Sequence, residues 1–497
     1  MPNPRVVHGS FPALRERRER LIGLFYFLWL GEHGRGKPLD ISAITAAHPD
    51  AGAHPEAPYW GSVGTYHHWG EPFYGYYYSD DEWVVRRHVK LILQAGVDFL
   101  FFDTTNAVIY EENAKRVMRV LAEYHAAGWE IPRVMFYTNT RSGETVQRIY
   151  EAIYKPGFCP ETWFRRKDKP TIIAVPEECS PECREFFDIR LSQWPNEADK
   201  AGGWPWMDFT RPQRVFPTLD GTPECINVSV AQHPQIRFGD SVLYGETTNR
   251  GRAYHDGAND PAPGAWTRCY NFIEQFERAL EADVPVTLVT GWNEWIAGRW
   301  QGTPERPIMF VDCANYEYSR DIEMMRGGYF DNYYKTLCEY AAMLKGQAPE
   351  TALADGQEAH FRGYPDGTFP RDAEGYGTRY VNRTGRYGIR SVDVRRQEDG
   401  LVFTLRADRP IDPGDTGGTF LRLWAWNADG EEIQESAMTR TVGAQEVETT
   451  IPLAAVTGAS VDFKAGDSRE EIRTPEDFYD HGDVLPLGYA RYRVVLA

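Results

Sequence analysis

Short apolar runs with few charged residues alternate along the first two thirds of the chain with stretches whose apolar residues recur at helical spacing. Such runs are typical of strands buried on both faces of a parallel sheet, and the stretches between them of amphipathic helices. The runs predicted as strands are Leu21–Leu30, Val97–Asp103, Arg133–Thr140, Pro170–Pro176, Trp204–Phe209, Ile226–Ala231, Val284–Thr290 and Ile308–Asp312. The predicted helices cover Asp80–Ala95, Ala114–Ala127, Thr145–Tyr154, Pro181–Leu191, Thr267–Ala282 and Tyr329–Lys345.

This alternation predicts an α/β fold, a (β/α)₈ TIM barrel. A doubly wound sheet is the alternative, but the first strand lacks the Gly-rich turn that a dinucleotide site needs. The long segment between the first strand and Asp80 is rich in Gly, Pro, His and aromatic residues. Because disordered segments carry few rings, we expect this segment to fold over the barrel mouth.

The pattern changes after Gly346. Pro349–Gly377 carries the Pro and Gly signals of a loop, and from about Val392 short runs alternate apolar and polar residues between turns. This alternation predicts a C-terminal β-sandwich domain. The predicted division is a barrel over residues 1–346, a linker and packing segment over 347–378, and a sandwich over 379–497.

Composition narrows the classes of partner. Aromatic residues make up 14% of the chain, with 15 Trp and 28 Tyr, which fits surfaces for stacking sugar rings or a large aromatic core. The net charge of −18 argues against nucleic acid and anionic membrane surfaces, because no basic patch is present to neutralise phosphate. No apolar stretch reaches the length of a membrane span.

Seven cysteines are scattered along the chain, and the close pair Cys179 and Cys183 has no matching Cys or His pair. We therefore expect free thiols in a reducing compartment, with no zinc site, no other metal and no cofactor. Arg15–Leu30 imitates a signal peptide, but Glu16 and Glu19 interrupt its charge and no cleavage site follows. A cytoplasmic location is expected, although a trimmed secreted or periplasmic protein would look the same.

The most informative stretch follows the predicted strand Val284–Thr290 and reads Gly-Trp-Asn-Glu-Trp. The carboxyl ends of barrel strands open into the active site, so Glu294 is the candidate catalytic carboxylate. Flanking indoles would make its surroundings partly dry, which raises the pKa of a carboxyl toward the working range of an acid or base. The alternative is a structural glutamate with both tryptophans in the core.

Glycoside hydrolysis needs two carboxyl groups, one to protonate the leaving oxygen and one to act as base or nucleophile. Asp103 closes the second predicted strand, although capping a helix or accepting a substrate hydroxyl suits it better than acid–base work. Further carboxylates follow the eighth predicted strand: Asp312, Glu317, Asp321 and Glu323. A barrel can bring such groups together from different strands.

Three motifs resemble the endo-α-mannosidase-like glycoside hydrolases and their polysaccharide-locus relatives. They are GYYYSDDEWVVRRHVKLILQAGVDFLFFD (Gly75–Asp103), TGWNEW (Thr290–Trp295), and YSRDIE (Tyr318–Glu323) followed by GGYFDNYYKTL. The resemblance implies a (β/α)₈ barrel and cleavage of glycosidic bonds. It also implies two glutamates three residues apart after the seventh strand, but here Glu294 is followed by Ala297. Another residue must supply the second carboxyl, and the expected order is Glu323, Asp103, Glu246.

The predicted catalytic residues are therefore Glu294, Glu323 and Asp103. Rings and hydrogen-bonding side chains are expected to bind the substrate: Tyr26, His67, His68, Trp69, Tyr137, Asn139, Gln232, His233, Glu246, Arg252, Trp292, Asn293 and Trp295. Glu246 has a second interpretation, as the ion-pair partner of Arg250 or Arg252.

The sequence predicts a glycoside hydrolase that cleaves a complex oligo- or polysaccharide without a cofactor. A non-catalytic glycan-binding protein on a degenerate barrel is the alternative, prompted by Ala297. A glycan lyase with a Tyr or His base is a third possibility.

Overall fold

The computed structural model describes residues 20–234, 237–246, 248–347, 350–366 and 369–497. Its central feature is a nearly closed ring of eight parallel strands in chain order. They are β1 (Leu21–Tyr26), β2 (Phe99–Thr104), β3 (Arg133–Thr138), β4 (Lys169–Ala174), β5 (Asp188–Gln193), β6 (Gly203–Pro205), β7 (Pro223–Ser229) and β8 (Val286–Thr290). Neighbouring strands pair in chain order from β1 to β6, β7 pairs with β8, and β8 pairs with β1.

The ring is completed between β6 and β7 by side-chain bonds instead of a ladder. Asn227 on β7 donates from Nδ2 to the carbonyl oxygen of Trp206, 3.1 Å away, and its Oδ1 accepts from the backbone N–H of Asp208. A short strand, Val215–Pro217, lies antiparallel to β7 at this edge. The result is a TIM-like barrel, as the strand and helix alternation predicted.

Aromatic side chains fill the barrel. Phe25 stacks on Phe101 with ring centroids 4.8 Å apart, and its ring also contacts Tyr137 and Trp206. Gly23 makes room for this packing, because a Cβ there would lie 2.4 Å from the ring of Phe99. The interior is therefore a packed core, and any site must lie at one end.

Amphipathic helices surround the ring. Their bounds are Ile41–Ala47 (α1), Glu82–Gln94 (α2), Glu111–Ala126 (α3), Ser142–Ile149 (α4), Pro181–Phe186 (α5), Phe238–Tyr244 (α6), Tyr270–Ala282 (α7) and Asn332–Leu344 (α8), with a one-turn helix at Asp477–Asp480 (α9). Asp81 caps α2 by accepting from the N–H of Val84. No helix in the described ranges is long and apolar enough to cross a membrane.

One predicted helix is too long, and one predicted barrel strand lies outside the ring. The predicted helix Pro181–Leu191 ends at Phe186, and the following residues form β5, because DIRLSQ alternates in the period of a strand. Ile308–Met309 lies outside the ring and pairs antiparallel with Trp300–Gln301. Glu294 therefore follows the eighth barrel strand and not the seventh.

The C-terminal part contains two five-stranded sheets. One holds Thr351–Leu353, Tyr492–Leu496, Ser460–Ser468, Thr419–Asn427 and Asp483–Leu485, and the other holds Glu358–Arg362, Ile389–Gln397, Gly400–Ala407, Glu446–Pro452 and Thr439–Val442. Phe361 and Phe403 of the second sheet contact Phe463 of the first, at 4.9 and 5.1 Å between centroids. The predicted linker 347–378 thus contributes a strand to each sheet.

Buried polar contacts join this part to the barrel. Lys90 on α2 donates to Asp483 at 2.6 Å, and Arg371 donates to Asp81 at 2.8 Å. All four side chains are buried. Because a buried charge is costly without its partner, these pairs favour one arrangement of the C-terminal sheets against α2. The seven cysteines are free thiols, as the sequence predicted.

Candidate active site

A cluster of carboxylates surrounds one guanidinium at the carboxyl end of the barrel. Glu294 Oε2 accepts from Nε and Nη2 of Arg320, at 3.0 and 2.6 Å. The same Nη2 donates to Asp312 Oδ1 at 3.1 Å. One cation therefore holds two carboxylates within reach of a single nitrogen atom.

The backbone of Glu294 is held as firmly as its side chain. Its N–H donates to the carboxylate of Asp321, and its carbonyl oxygen accepts from Trp69 Nε1 at 3.1 Å. Trp69 Nε1 also donates to Asp321 Oδ2 at 3.0 Å. Neighbouring residues 320 and 321 thus position the glutamate from two directions, which is the pre-organisation that a catalytic group needs.

Burial controls the charge of this cluster. Glu294 is only 3% exposed, and burial raises its pKa well above the usual value, which Arg320 partly opposes and Asp312 and Asp321 reinforce. Burial lowers the pKa of Arg320, but Glu294 and Asp312 raise it further, so the guanidinium stays cationic.

Asp103 brings a third carboxyl to the same region from β2. Its Oδ1 accepts from the N–H and the hydroxyl of Thr105, at 3.0 and 2.8 Å. Burial raises the pKa of Asp103 to about 6, opposed by these bonds and by Arg320 and reinforced by Asp312. A carboxyl with this pKa can give or take a proton near neutral pH.

The rim of the cluster is partly open and polar. The side chain of Asp312 is 35% exposed, the largest exposure among the three carboxylates. His233, partly exposed, contacts Arg320 Nη1 through Nδ1 at 3.4 Å, and burial with the neighbouring cation lowers its pKa. Asn139 follows β3 and accepts from Ser192. His233 and Asn139 thus lie at strand ends, where the sequence predicted substrate contacts.

Arg320 was not singled out from the sequence, and Asp312 and Asp321 were only members of a group of acids. The signal available was a cation directly before an acid in the YSRDIE segment. Arg320, Asp312 and Asp321 all lie outside the barrel strands. Their proximity to Glu294 depends on how the loop after the hairpin at 300–309 returns to the barrel.

The structure does not support Glu323 as the second carboxyl. Its side chain is fully buried, and its oxygens contact His88 Nε2 at 2.9 Å, the Tyr77 hydroxyl at 2.7 Å and Trp295 Nε1 at 2.5 Å. These three contacts use the hydrogen-bonding capacity of the Glu323 carboxylate, which lies beneath α2. Substrate has no path to it in this arrangement.

Glu246 is also placed elsewhere. It pairs with Arg306 at 3.4 Å, and not with Arg250 or Arg252 as the alternative interpretation suggested. Among the residues proposed to replace the carboxyl missing at Ala297, only Asp103 lies in the cluster.

Most of the rings predicted to contact sugar belong to the core. Trp69, Trp292, Trp295 and Tyr137 are fully buried, and Trp69 stacks on Trp295 at 4.4 Å. Tyr26 faces outward from β1 and its hydroxyl contacts His88 Nδ1, because alternation along a strand places only Phe25 and Phe27 on the inner side. In this structure all five rings pack in the core, and the core alternative describes both indoles beside Glu294.

Five further predicted contacts are structural. Burial lowers the pKa of His67 to about 4 and of His68 to about 3, on a short strand paired with Ile296–Gly298. Asn293 bonds both backbone groups of Phe27, Gln232 donates to the carbonyl of Asp208, and Arg252 donates to the carbonyl of Asp321. These buried side chains shape the loops around the site without facing it.

Within the described ranges, the side chains that could jointly hold a metal ion are Asp477, Asp480 and His481, in the C-terminal part. The cluster around Arg320 is suited to acid and base chemistry through its own carboxyl groups.

No protein-family model matches the chain, and no curated protein matches it. Among solved structures, the chain is similar to the GH99 endo-alpha-mannosidase from Bacteroides thetaiotaomicron, with 14% identity and a TM-score of 0.39, over 65% of this chain and 97% of that one. It is also similar to a glycoside hydrolase-like protein, with 13% identity and a TM-score of 0.36, over 67% and 96%. The barrel assignment rests on the strand pairing described above.

Proposed function

We propose that this protein is a glycoside hydrolase that cleaves an oligo- or polysaccharide by carboxyl acid–base catalysis without a cofactor. The observation that carries the proposal is the placement of Glu294, Asp312 and Asp103 around Arg320 at the carboxyl end of a barrel. Two carboxyl groups in unlike surroundings are the requirement of this reaction.

In this proposal the pair bridged by Arg320 divides the two roles. Glu294 is the more deeply buried member, and burial raises its pKa, so it acts as the acid. Asp312 is about one-third exposed, so water or an anomeric carbon can reach it as base or nucleophile. Asp312 thereby supplies the carboxyl that the resemblance places at Ala297. Asp103, with a pKa of about 6, accepts a substrate hydroxyl beside them.

The test is a screen of neutral plant, fungal and bacterial glycans for released reducing sugar. Hydrolysis by the unaltered protein, lost in Glu294→Gln and in Asp312→Asn, is the expected result. Glu246→Gln is the matched control, because Glu246 pairs with Arg306 away from the cluster. Hydrolysis that survives both cluster variants would refute the assignment. The anomer released, followed by proton NMR, then distinguishes retention from inversion.

A non-catalytic glycan-binding protein is the second candidate. It is favoured by the low exposure of Glu294 and by the complete burial of Glu323. It predicts saturable oligosaccharide binding with no product, and binding that Glu294→Gln leaves unchanged. Product release by the unaltered protein would eliminate it.

We also propose that the C-terminal sheets form an accessory β-sandwich. The contacts of Phe361 and Phe403 with Phe463 support face-to-face packing of the two sheets. The strands at 351–353 and 358–362 extend this unit into the segment predicted as a linker.

A further inference from the structure

Trp300 is a solvent-exposed tryptophan on the hairpin that connects Glu294 with Asp312. Trp300 is 51% exposed, whereas every other tryptophan is buried or half-buried. No other aromatic residue in the described ranges belongs to the exposed group. Leaving a large ring in water forgoes the stabilisation that burial gives. Single exposed apolar residues are common on protein surfaces, so what matters here is where this ring lies.

The position of Trp300 in the fold links it to the cluster. The chain passes from Glu294 through Ile296–Gly298 to Trp300–Gln301, and then returns through Ile308–Met309 to Asp312. Trp300 pairs directly with Met309, three residues before Asp312. The Cα atoms of Trp300 and Asp312 therefore lie within about 15 Å of each other.

A second ring continues the surface between Trp300 and the carboxylates. A Cβ added at Gly298 would meet Trp300 Nε1 and the ring of Tyr66, both at 3.5 Å, so the two side chains approach the same glycine. Tyr66 stacks on His33 with centroids 4.5 Å apart and planes 9° apart. The charge of Asp312 contributes to a raised pKa of Tyr66, which places that hydroxyl in the field of the cluster.

We infer that Trp300 is a stacking subsite for a sugar ring of a neutral polysaccharide, on the path that leads past Tyr66 to Asp312 and Glu294. The subsite rests on the proposed glycan-hydrolysing function and deepens it. A ring bound at Trp300 lies beyond the reach of the cluster, so the ligand spans several sugars. The protein then acts on extended chains and not on isolated terminal sugars.

The charges near the path favour a neutral chain. Arg320 is the cation of the cluster, and its donors are committed to Glu294, Asp312 and His233. The uncommitted charge there is negative, and the whole chain carries −18. A uronate or sulfated sugar would meet repulsion, while the face of a neutral ring presents C–H groups that pack on an indole.

The experiment measures binding by affinity electrophoresis in gels that contain yeast α-mannan, laminarin or xyloglucan, with polygalacturonate as the anionic comparison. The unaltered protein should be retarded by at least one neutral polymer and not by polygalacturonate. Trp300→Ala should weaken that binding about tenfold and Trp300→Phe about threefold, since a smaller ring retains part of the stacking.

Leu219→Ala is the matched control. Leu219 is 81% exposed and precedes β7, at the opposite end of the barrel, so its loss should leave binding unchanged. A second readout is quenching of tryptophan fluorescence by acrylamide. Saturating polymer should protect the unaltered protein from quenching but should not change quenching of Trp300→Phe.

Three results would overturn the subsite: equal retardation of Trp300→Ala and the unaltered protein, stronger retardation by polygalacturonate, or no retardation by any neutral polymer. The hydrolase proposal fails separately. Binding that depends on Trp300, with no sugar released from the bound polymer, would leave the subsite in place and refute catalysis.

Discussion

Glu294 and Glu323 are both nearly inaccessible, and both adjoin the loop after β8, but their surroundings differ. Glu294 is bound by the cation Arg320, which also binds the part-exposed Asp312. Glu323 is bound by the neutral hydroxyl of Tyr77, the indole of Trp295 and the ring of His88, all beneath α2. Burial alone therefore does not identify a catalytic carboxylate. Connection to an exposed, charged group at the barrel end does.

The largest effect should come from Glu294→Gln. Removing the acid while keeping the shape should lower kcat about 10³–10⁴-fold, equivalent to about 4–5.5 kcal/mol of transition-state stabilisation, with affinity for the glycan largely retained. Steady-state kinetics on the glycan found by screening measure it. Glu323→Gln is the comparison, and an equal loss of kcat in both variants would erase the distinction between the two glutamates.

The next effect should come from Arg320→Leu. This change leaves Glu294 and Asp312 without their shared cation, and removing one partner of a buried pair costs about 3–5 kcal/mol. Urea unfolding should show the loss at pH 8. The loss should shrink at pH 5, because burial raises the pKa of Glu294 and lets it take up a proton there. A loss that does not depend on pH would mean that Arg320 serves packing and not charge.

The pH dependence of Asp103 sharpens the comparison. Its folded pKa of about 6 exceeds its unfolded value, so the folded state binds the proton more tightly and stability falls as pH rises from about 4 to about 6. The loss is up to about 3 kcal/mol at 1.36 kcal/mol per pH unit. Asp103→Asn should remove that loss, so its stability relative to the unaltered protein should rise over this window.

Comparing Asp103→Asn with the unaltered protein is necessary, because burial also raises the pKa of Asp321 to about 6. Chemical unfolding at closely spaced pH values measures the difference. Parallel stability profiles for the two proteins would show that Asp103 does not titrate in this range.

The smallest effect should come from Glu323→Gln on stability. An amide can satisfy at most part of the bonds to His88, Tyr77 and Trp295, so about 2 kcal/mol of unfolding free energy should be lost. The pH profile of kcat should keep its shape, because the residue does not touch substrate. A shifted profile, with stability unchanged, would return Glu323 to the list of acid–base candidates.

Strands with clear patterns were predicted well, and elements with mixed signals were not. The runs that became β1, β2, β3 and β8 are strongly apolar, with charge only near their ends, and lie between helices of plain amphipathic period. β5 was missed because the signals of a helix start at Ser180 and Pro181 precede it directly. Ile308–Met309 was assigned to the ring because apolar composition alone does not distinguish a barrel strand from a hairpin.

By itself, the sequence determined the barrel, the C-terminal strands, and the position of Glu294 and Asp103 at strand ends, since these follow from local period and chain order. Only the tertiary structure decided which acids meet. Arg320, Asp312 and Asp321 reach Glu294 through a loop whose path depends on packing between distant segments. It also decided which rings are bare: Trp292, Trp295 and Trp300 stand close together in sequence, yet burial leaves only Trp300 exposed. Solvent access and charge pairing belong to three-dimensional neighbours, and residue identity at one position does not encode them.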